Sequence, residues 1–234
     1  MKTLAIIPAG GAGRRMGSSV PKQYLPLAGV PVLVHTLRAF QSATVIDEIY
    51  LVVPEGDIPD VTNEIVARHG LTKVTMVLAG GAERQNSVRN ALLHVRDEHG
   101  IILVHDGVRP FVSGELISRA VTAADQYGAA TIGVPVKDTV KEVSAAGWVV
   151  KTVPREGLWL TQTPQAFQRT LVLAAYEKAV QEGFSGTDDA SVVERMGVPV
   201  RMIPGESDNI KLTTPEDLVL GEVILRRFSQ VKVS

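Results

Sequence analysis

Along most of this 234-residue chain, runs of strand length that are apolar throughout alternate with helical patterns. From the N-terminus they read TLAIIPA, VPVLVHTLRAF, IDEIYLVVP, VTNEIVARHG, KVTMVLAG, SVRNALLHV, GIILVHDG and ELISRAVTAADQYG. A strand with one wet face alternates polar and apolar residues, whereas a strand that is apolar at every position needs cover on both faces. The pattern therefore predicts βαβ units forming an α/β, Rossmann-like, mostly parallel sheet with helices on both faces. A chain of this size buries about 70% of its unfolded surface, enough for one domain spanning 1–234.

From about Ala129 the rhythm changes. The segment TIGVPVKDTVKEVSAAGWVVKTVPREGLWLTQTPQAF holds two alternating stretches around SAAGW and no helical pattern. It predicts a β-hairpin arm at about 135–165, with Gly147 in the turn, projecting from the sheet. Beyond it come a helix TLVLAAYEKAVQEG, a loop FSGTDDAS, a strand VPVRMIPG and a closing helix. Thr214 as cap and Pro215 at the first helical position mark where that last helix begins.

Composition removes several function classes. The net charge of −1 and the 21% charged residues describe an ordinary globular protein rather than a basic nucleic-acid binder. The absence of cysteine excludes disulfides, thiolate nucleophiles, iron–sulfur clusters and zinc–thiolate sites, and it suits a reducing, cytoplasmic setting. No secretory signal and no apolar run of membrane-spanning length is visible, so no membrane partner is expected.

Charge is nevertheless uneven. Lys2, Arg14, Arg15, Lys22 and Arg38 all precede the first acid, Asp47, which leaves a charge of −6 on the rest of the chain. Within this acid-free region lies PAGGAGRRMGSSVPKQ, directly behind the first apolar run. A glycine-rich turn at the carboxyl end of a first strand lets backbone N–H groups approach phosphates. Gly10, Gly11 and Gly13 supply the permissive backbone, and Arg14, Arg15 and Lys22 the charge. The loop lacks the Gly-Lys-Ser/Thr ending of a Walker motif, and its spacing from Gly11 is G-x-G-x-x-x-G rather than a dinucleotide fingerprint. A triphosphate suits it, and so does a plain glycine turn whose arginines are only solvated.

Five segments, PAGGAGRRMGSSVPKQYLPLAGVPVLVHTL, GGAERQNSV, VHDGVRPF, TQTPQAF and DNIKLTTPEDL, occur in this order over essentially the whole chain. Together they resemble the sugar-nucleotide-type nucleotidyltransferases, and within them the 2-C-methyl-D-erythritol 4-phosphate cytidylyltransferase family of the non-mevalonate isoprenoid pathway. The resemblance implies CTP and a sugar-alcohol phosphate as substrates, Mg²⁺ as companion of the triphosphate, and in-line attack of the acceptor phosphate on the α-phosphorus. It makes Arg15, Lys22, Arg155 and Lys211 the catalytic cations. It gives CTP to Pro8, Ala9, Gly10, Gly11, Gly13, Gly80, Gly81, Ser87, Asp106 and Gly107, with the backbone N–H groups of Ala9 to Gly13 wrapped around the triphosphate. Arg109, Thr139, Arg155, Thr187 and Lys211 would hold the acceptor phosphate, with Thr139 and Arg155 reaching the partner's site in a homodimer joined by the arms. Ala82 stands where many relatives carry Asp, so that side-chain contact is either missing or supplied by Glu83.

The residues themselves leave alternatives open. Asp106 suits a ribose or substrate hydroxyl, a metal ligand, or a structural pair with Arg109; Asp188 and Asp189 suit a metal pair or, as preferred here, the start of a helix; and the GGAERQNS loop reads as base recognition or as a helix cap at Asn86 or Ser87. His105 reads as structural. The nearest rival reading is the same chemistry on ribitol 5-phosphate, and a rival from another class is a non-catalytic nucleotide-binding protein. A nicotinamide-dependent oxidoreductase is disfavoured by the loop spacing and by the lack of an acid about 20 residues beyond it.

Overall fold

The structure is a computed structural model that describes residues 1–11 and 20–231, the side chains of 229–231 excepted. Strand β1 (Lys2–Pro8) leads through a 3₁₀ turn, Lys22–Tyr24, and a small hairpin, β2 (Pro26–Leu27) and β3 (Val30–Pro31), into α1 (Val32–Ser42). Next come β4 (Glu48–Val53), α2 (Ile58–Asp60) with a π-helical continuation at Val61–Ala67, β5 (Val74–Ala79), α3 (Arg84–Leu92), β6 (His99–Val104) and α4 (Gly114–Tyr127). The second half holds β7 (Ala129–Pro135), β8 (Val140–Val143), β9 (Val149–Val153), β10 (Trp159–Gln168), α5 (Arg169–Glu182), α6 (Asp189–Glu194), β11 (Arg201–Pro204) and α7 (Pro215–Val231).

Seven strands form one sheet in the order β11-β7-β10-β6-β1-β4-β5. All neighbours are parallel except β10, which runs antiparallel to both β6 and β7. The sheet is covered on both faces, as the apolar runs require. Ala5 and Ile7 of β1 face the layer containing α1 and α4, while Leu4 and Ile6 face α3, α5 and α6. Among the described residues, no helix is long and apolar enough to cross a membrane.

Two elements differ from the sequence reading. VTNEIVARHG is helical but wound with π-type bonds over Val61–Ala67. The arm is also shorter than 135–165, because Trp159–Gln168 pairs with β6 and β7 inside the main sheet, leaving β8 and β9 as a separate two-stranded hairpin. The alternation of GLWLTQTPQAF was correct for a strand; only its partner strands were illegible. Gly147 does lie in the hairpin turn, at φ +85°. Helix α7 starts at Pro215 as expected, and the Asp217 carboxylate reaches back to the Thr213 and Thr214 amides at 2.7 and 2.9 Å.

This topology gathers loops at one end. The segments after β1, β5 and β6 leave from the carboxyl ends of parallel strands, where open α/β sheets bind ligands. Beneath them, Phe40 of α1 is fully buried, its ring centred 4.9 Å from that of His105. Phe40→Ala is expected to lower unfolding free energy by about 3–5 kcal/mol in urea titration. A loss under about 1 kcal/mol would show that the loop ends do not rest on this contact.

Candidate active site

Two adjoining cavities open at the carboxyl ends of the strands. The first is lined by Pro8, Ala9, Gly10, Gly11, Lys22 and Gln23 on one side, and by Gly81 to Arg84 and Ser87 on the other. The second is lined by Arg109, Thr161 to Thr163, Gln165, Thr187 and Asp188. Arg84, Asp106 and Lys211 line both and so form the wall between them.

Asp106 sits at the centre of that wall. It follows β6, is nearly buried, and accepts from Arg84 Nε at 2.9 Å through Oδ1 and from Lys211 Nζ at 2.9 Å through Oδ2. Arg109 Nε stands 3.5 Å from the same Oδ2. Burial alone would raise the carboxyl pKa, but Arg84, Lys211 and Arg109 hold it far below the usual carboxylate range. Burial lowers the Arg109 pKa more than Asp106 raises it. Each oxygen already faces a cation, which does not fit a metal ligand. The one group of acids and histidine close enough together to hold an ion, among the described residues, is Glu48, Glu98 and His99. Those residues lie at the opposite end of the strands, where Lys2 and Arg96 already pair with the two carboxylates.

Lys211 is placed by its neighbours. Buried Asn209 donates to Gln162 Oε1 at 3.2 Å and to the Thr163 carbonyl at 2.9 Å; its own carbonyl accepts from Arg109 Nη1 at 2.9 Å. The Leu212 amide donates to the Val108 carbonyl at 2.9 Å. The segment carrying Lys211 is thus tied to both β10 and the loop after β6.

The glycine loops shape the first cavity rather than supply all its donors. The amides of Ala9, Gly80, Gly81 and Gly107 are engaged by Val52 O, Val53 O, Ser87 Oγ and Pro8 O at 2.7, 2.7, 3.1 and 3.1 Å. This corrects the expectation that Ala9 would give its N–H to a phosphate. Gly107 eases a close approach instead: a Cβ there would lie 3.0 Å from the Ala9 Cβ and 3.2 Å from the Pro8 carbonyl oxygen, so those neighbours would have to give by a few tenths of an ångström. Ser87 donates its proton to the Glu83 carbonyl at 3.1 Å, which leaves it only as an acceptor toward a ligand. The α3 cap is Glu83, not Asn86 or Ser87, and the Glu83 amide donates to Asn86 Oδ1 at 3.2 Å. The Glu83 carboxylate faces Ser185 Oγ at 3.4 Å.

On the other side, Asp188 caps α6 by accepting from the Ser191 amide at 2.9 Å, and Asp189 is fully buried against Arg84 and Tyr176. The preferred helix-start reading of this pair fits that geometry. Gln165 fixes the Thr187 loop to β10, donating to Asp188 Oδ2 at 2.7 Å and accepting from the Ala190 amide at 2.9 Å. Thr139 and Arg155 line neither cavity; Arg155 donates to the Lys137 carbonyl within the arm. Gly13 and Arg15 lie outside the described residues.

Two residues had gone unnoticed. Gln23 is 1% exposed, lines the first cavity, and its Nε2 has no hydrogen-bond partner among the described residues. Arg84 had a readable signal: a cation at the first position of a helix opposes the macrodipole and calls for compensating carboxylates.

The family model described as 2-C-methyl-D-erythritol 4-phosphate cytidylyltransferase matches residues 3–227. The chain belongs to this family. It is similar to the curated 2-C-methyl-D-erythritol 4-phosphate cytidylyltransferase of Syntrophus aciditrophicus, with 53% identity covering 97% of each chain. That of Geotalea uraniireducens is 49% identical, again over 97% of each. Among solved structures, the 4-diphosphocytidyl-2C-methyl-D-erythritol synthase of Anaerococcus prevotii superposes with a TM-score of 0.84 at 32% identity, covering 96% of each chain. The cytidylyltransferase of Thermus thermophilus gives 0.79 at 35% identity, covering 94% of this chain and 98% of its own. Membership of a cytidylyltransferase family accounts for a cleft divided in two and rich in cations.

His105 is scaffold in this site. It is fully buried; Nε2–H donates to the Arg109 carbonyl at 3.1 Å and Nδ1 accepts from Thr163 Oγ1 at 3.1 Å, which fixes the neutral tautomer. Burial pushes its pKa down from 6.5 to about 4. Between those two values the unfolded chain binds a proton that the folded chain refuses. The stability tied to neutral His105 is therefore complete above pH 6.5 and is lost as the pH falls toward 4, at about 1.4 kcal/mol per unit. His105→Gln is expected to flatten the fall of unfolding free energy across this window; an unchanged slope would contradict the assignment.

Proposed function

We propose that the protein transfers the cytidylyl group of CTP to 2-C-methyl-D-erythritol 4-phosphate, giving 4-diphosphocytidyl-2-C-methyl-D-erythritol and pyrophosphate. The observation that carries this reading is the pair of cavities sharing a charged wall. CTP occupies the first, with its triphosphate along Gly10, Gly11 and Lys22, and the acceptor phosphate occupies the second, beside Arg109 and Thr187. An acceptor phosphate oxygen attacks the α-phosphorus while the bond from that phosphorus to the oxygen bridging it to the β-phosphorus breaks. Both electrons of that bond leave with pyrophosphate. Such chemistry needs position and charge neutralisation more than covalent help. Lys22, with Arg15, stabilises charge on the transferring and leaving phosphates, and Lys211 faces both substrates from the wall. A bound Mg²⁺ would neutralise part of the triphosphate charge, and it would be held by CTP itself rather than by Asp106, whose two oxygens already face Arg84 and Lys211. A cysteine-free chain working on small phosphorylated metabolites belongs in the cytoplasm.

The test is pyrophosphate release from CTP and Mg²⁺ with 2-C-methyl-D-erythritol 4-phosphate or, in parallel, ribitol 5-phosphate. The first acceptor is expected to turn over, CTP to be preferred to UTP by tenfold or more, and chelation to stop turnover without unfolding the protein. Preference for ribitol 5-phosphate would change the acceptor, and equal use of UTP would remove the cytidylyl assignment. Lys22→Ala should lower kcat about a hundredfold with a smaller change in the KM for CTP. An unchanged kcat would remove Lys22 from the reaction.

The arm supports a second element of this reading, a homodimer. Trp148 is 77% exposed, and Val143, Val149 and Val150 of the same hairpin are exposed too, more apolar area than a lone two-stranded hairpin sustains in water. Exchange of arms between two copies covers both and carries Thr139 and Arg155 to the partner's acceptor phosphate. Mixing Arg155→Ala with Lys22→Ala subunits is expected to restore up to half of wild-type activity per heterodimer, because one of its two sites then carries neither lesion. No recovery in mixtures that demonstrably exchange subunits would refute the shared site.

A further inference from the structure

A carboxylate inside a cleft that binds phosphates repels its own ligands, so Asp106 needs a use other than attraction. Its contacts supply one. Arg84 forks between two acids, with Nε on Asp106 Oδ1 at 2.9 Å and Nη2 on Asp189 Oδ2 at 2.6 Å. The other oxygen of Asp189 accepts from the Tyr176 hydroxyl at 2.6 Å, and the other oxygen of Asp106 accepts from Lys211 Nζ at 2.9 Å. The result is an unbroken chain, Tyr176–Asp189–Arg84–Asp106–Lys211, joining α5, α6, α3, the loop after β6 and the segment before α7. Asp189 and Tyr176 line neither substrate cavity. Both are buried, and burial with the nearby Asp189 charge raises the Tyr176 pKa well above that of a free tyrosine, so the hydroxyl keeps its proton as donor. Buried ion pairs are poor sources of net stability because desolvation offsets their attraction, which makes geometry the better explanation for this one.

We infer that Arg84, backed by Asp189 and Tyr176, is a positioning residue: it fixes the Asp106 carboxylate, and through it the Lys211 ammonium, between the two substrates. The inference rests on the cytidylyl-transfer reading above. Lys211 has a flexible four-carbon stem and is 36% exposed, so without Asp106 its charge would be spread over many rotamers. Misplacement of a reacting contact by about 1 Å is enough to cost about a hundredfold in rate. The chain also makes the nucleotide loop and the acceptor loop move as one unit, since Arg84 belongs to the first and Asp189 to the second.

The test compares wild type, Tyr176→Phe, Arg84→Lys and the double variant in the pyrophosphate assay, with CTP dissociation measured separately and unfolding followed in urea. Tyr176→Phe removes one hydroxyl from a residue that lines neither substrate cavity. It is expected to lower kcat or raise the acceptor KM at least threefold, while the CTP dissociation constant stays within twofold. Arg84→Lys cannot hold both carboxylates and is expected to lower kcat tenfold or more. The double variant should be no worse than Arg84→Lys, because the chain is already broken there. Tyr176→Phe alone decides the matter if Arg84→Lys does not fold. Variants that lose stability but keep wild-type kcat and acceptor KM would overturn this inference alone, as would additive losses in the double variant. A wild type that releases no pyrophosphate from CTP with either acceptor would overturn the transfer reading and this inference together.

Discussion

Three cations drawn from separate parts of the chain, Arg84, Arg109 and Lys211, meet around the one carboxylate of Asp106. Without it they would repel one another, and each long side chain would retain about 2 kcal/mol of rotamer freedom. With it they form a fixed wall whose net charge is still positive. The surrounding polar groups serve that arrangement. Thr163 accepts from the Asp106 amide at 3.1 Å, and Asn209 ties the Lys211 segment to β10.

The wall can form because the sheet brings its members to one end. Asp106 leaves β6 where the strand stops, Arg84 opens the helix after β5, and Thr163 and Gln165 lie on β10, which runs the opposite way and so enters from the same side. Reversal of β10 is what lets the middle of a strand, rather than a loop, line a cleft at the carboxyl ends of its neighbours. The polar residues of TQTPQAF are buried for this reason: Gln162, Thr163 and Gln165 each hold a loop in place.

Much of this was legible in the chain. The apolar runs pointed to the doubly covered parallel sheet, the charged loops after β1 and β6 were visible with Lys22 on the first and Asp106 and Arg109 on the second, and the family resemblance added Thr187 before α6 and Lys211 before α7. The π-wound Val61–Ala67 was not legible, since a seven-residue run spans fewer than two turns, too short for its apolar spacing to separate i→i+5 from i→i+4 winding. The true length of the arm was hidden because alternation reports that a strand has two faces, not which strands flank it. The amide of Ala9 looked available to a phosphate; its partner, Val52 O, belongs to a strand more than forty residues away.

The sequence by itself determined what depends on neighbours along the chain: strand and helix periodicity, the start of α7 at Pro215, the turn at Gly147, and the charge and glycine content of the loop after β1. Tertiary structure alone decided the partners. Arg84 meets an acid 22 residues away and another 105 residues away, and Gly107 is small because Pro8 and Ala9 pass against it. Hydrophobic periodicity is a local property that survives in a one-dimensional string. An ion pair or a close approach exists only once the sheet order has placed distant segments side by side.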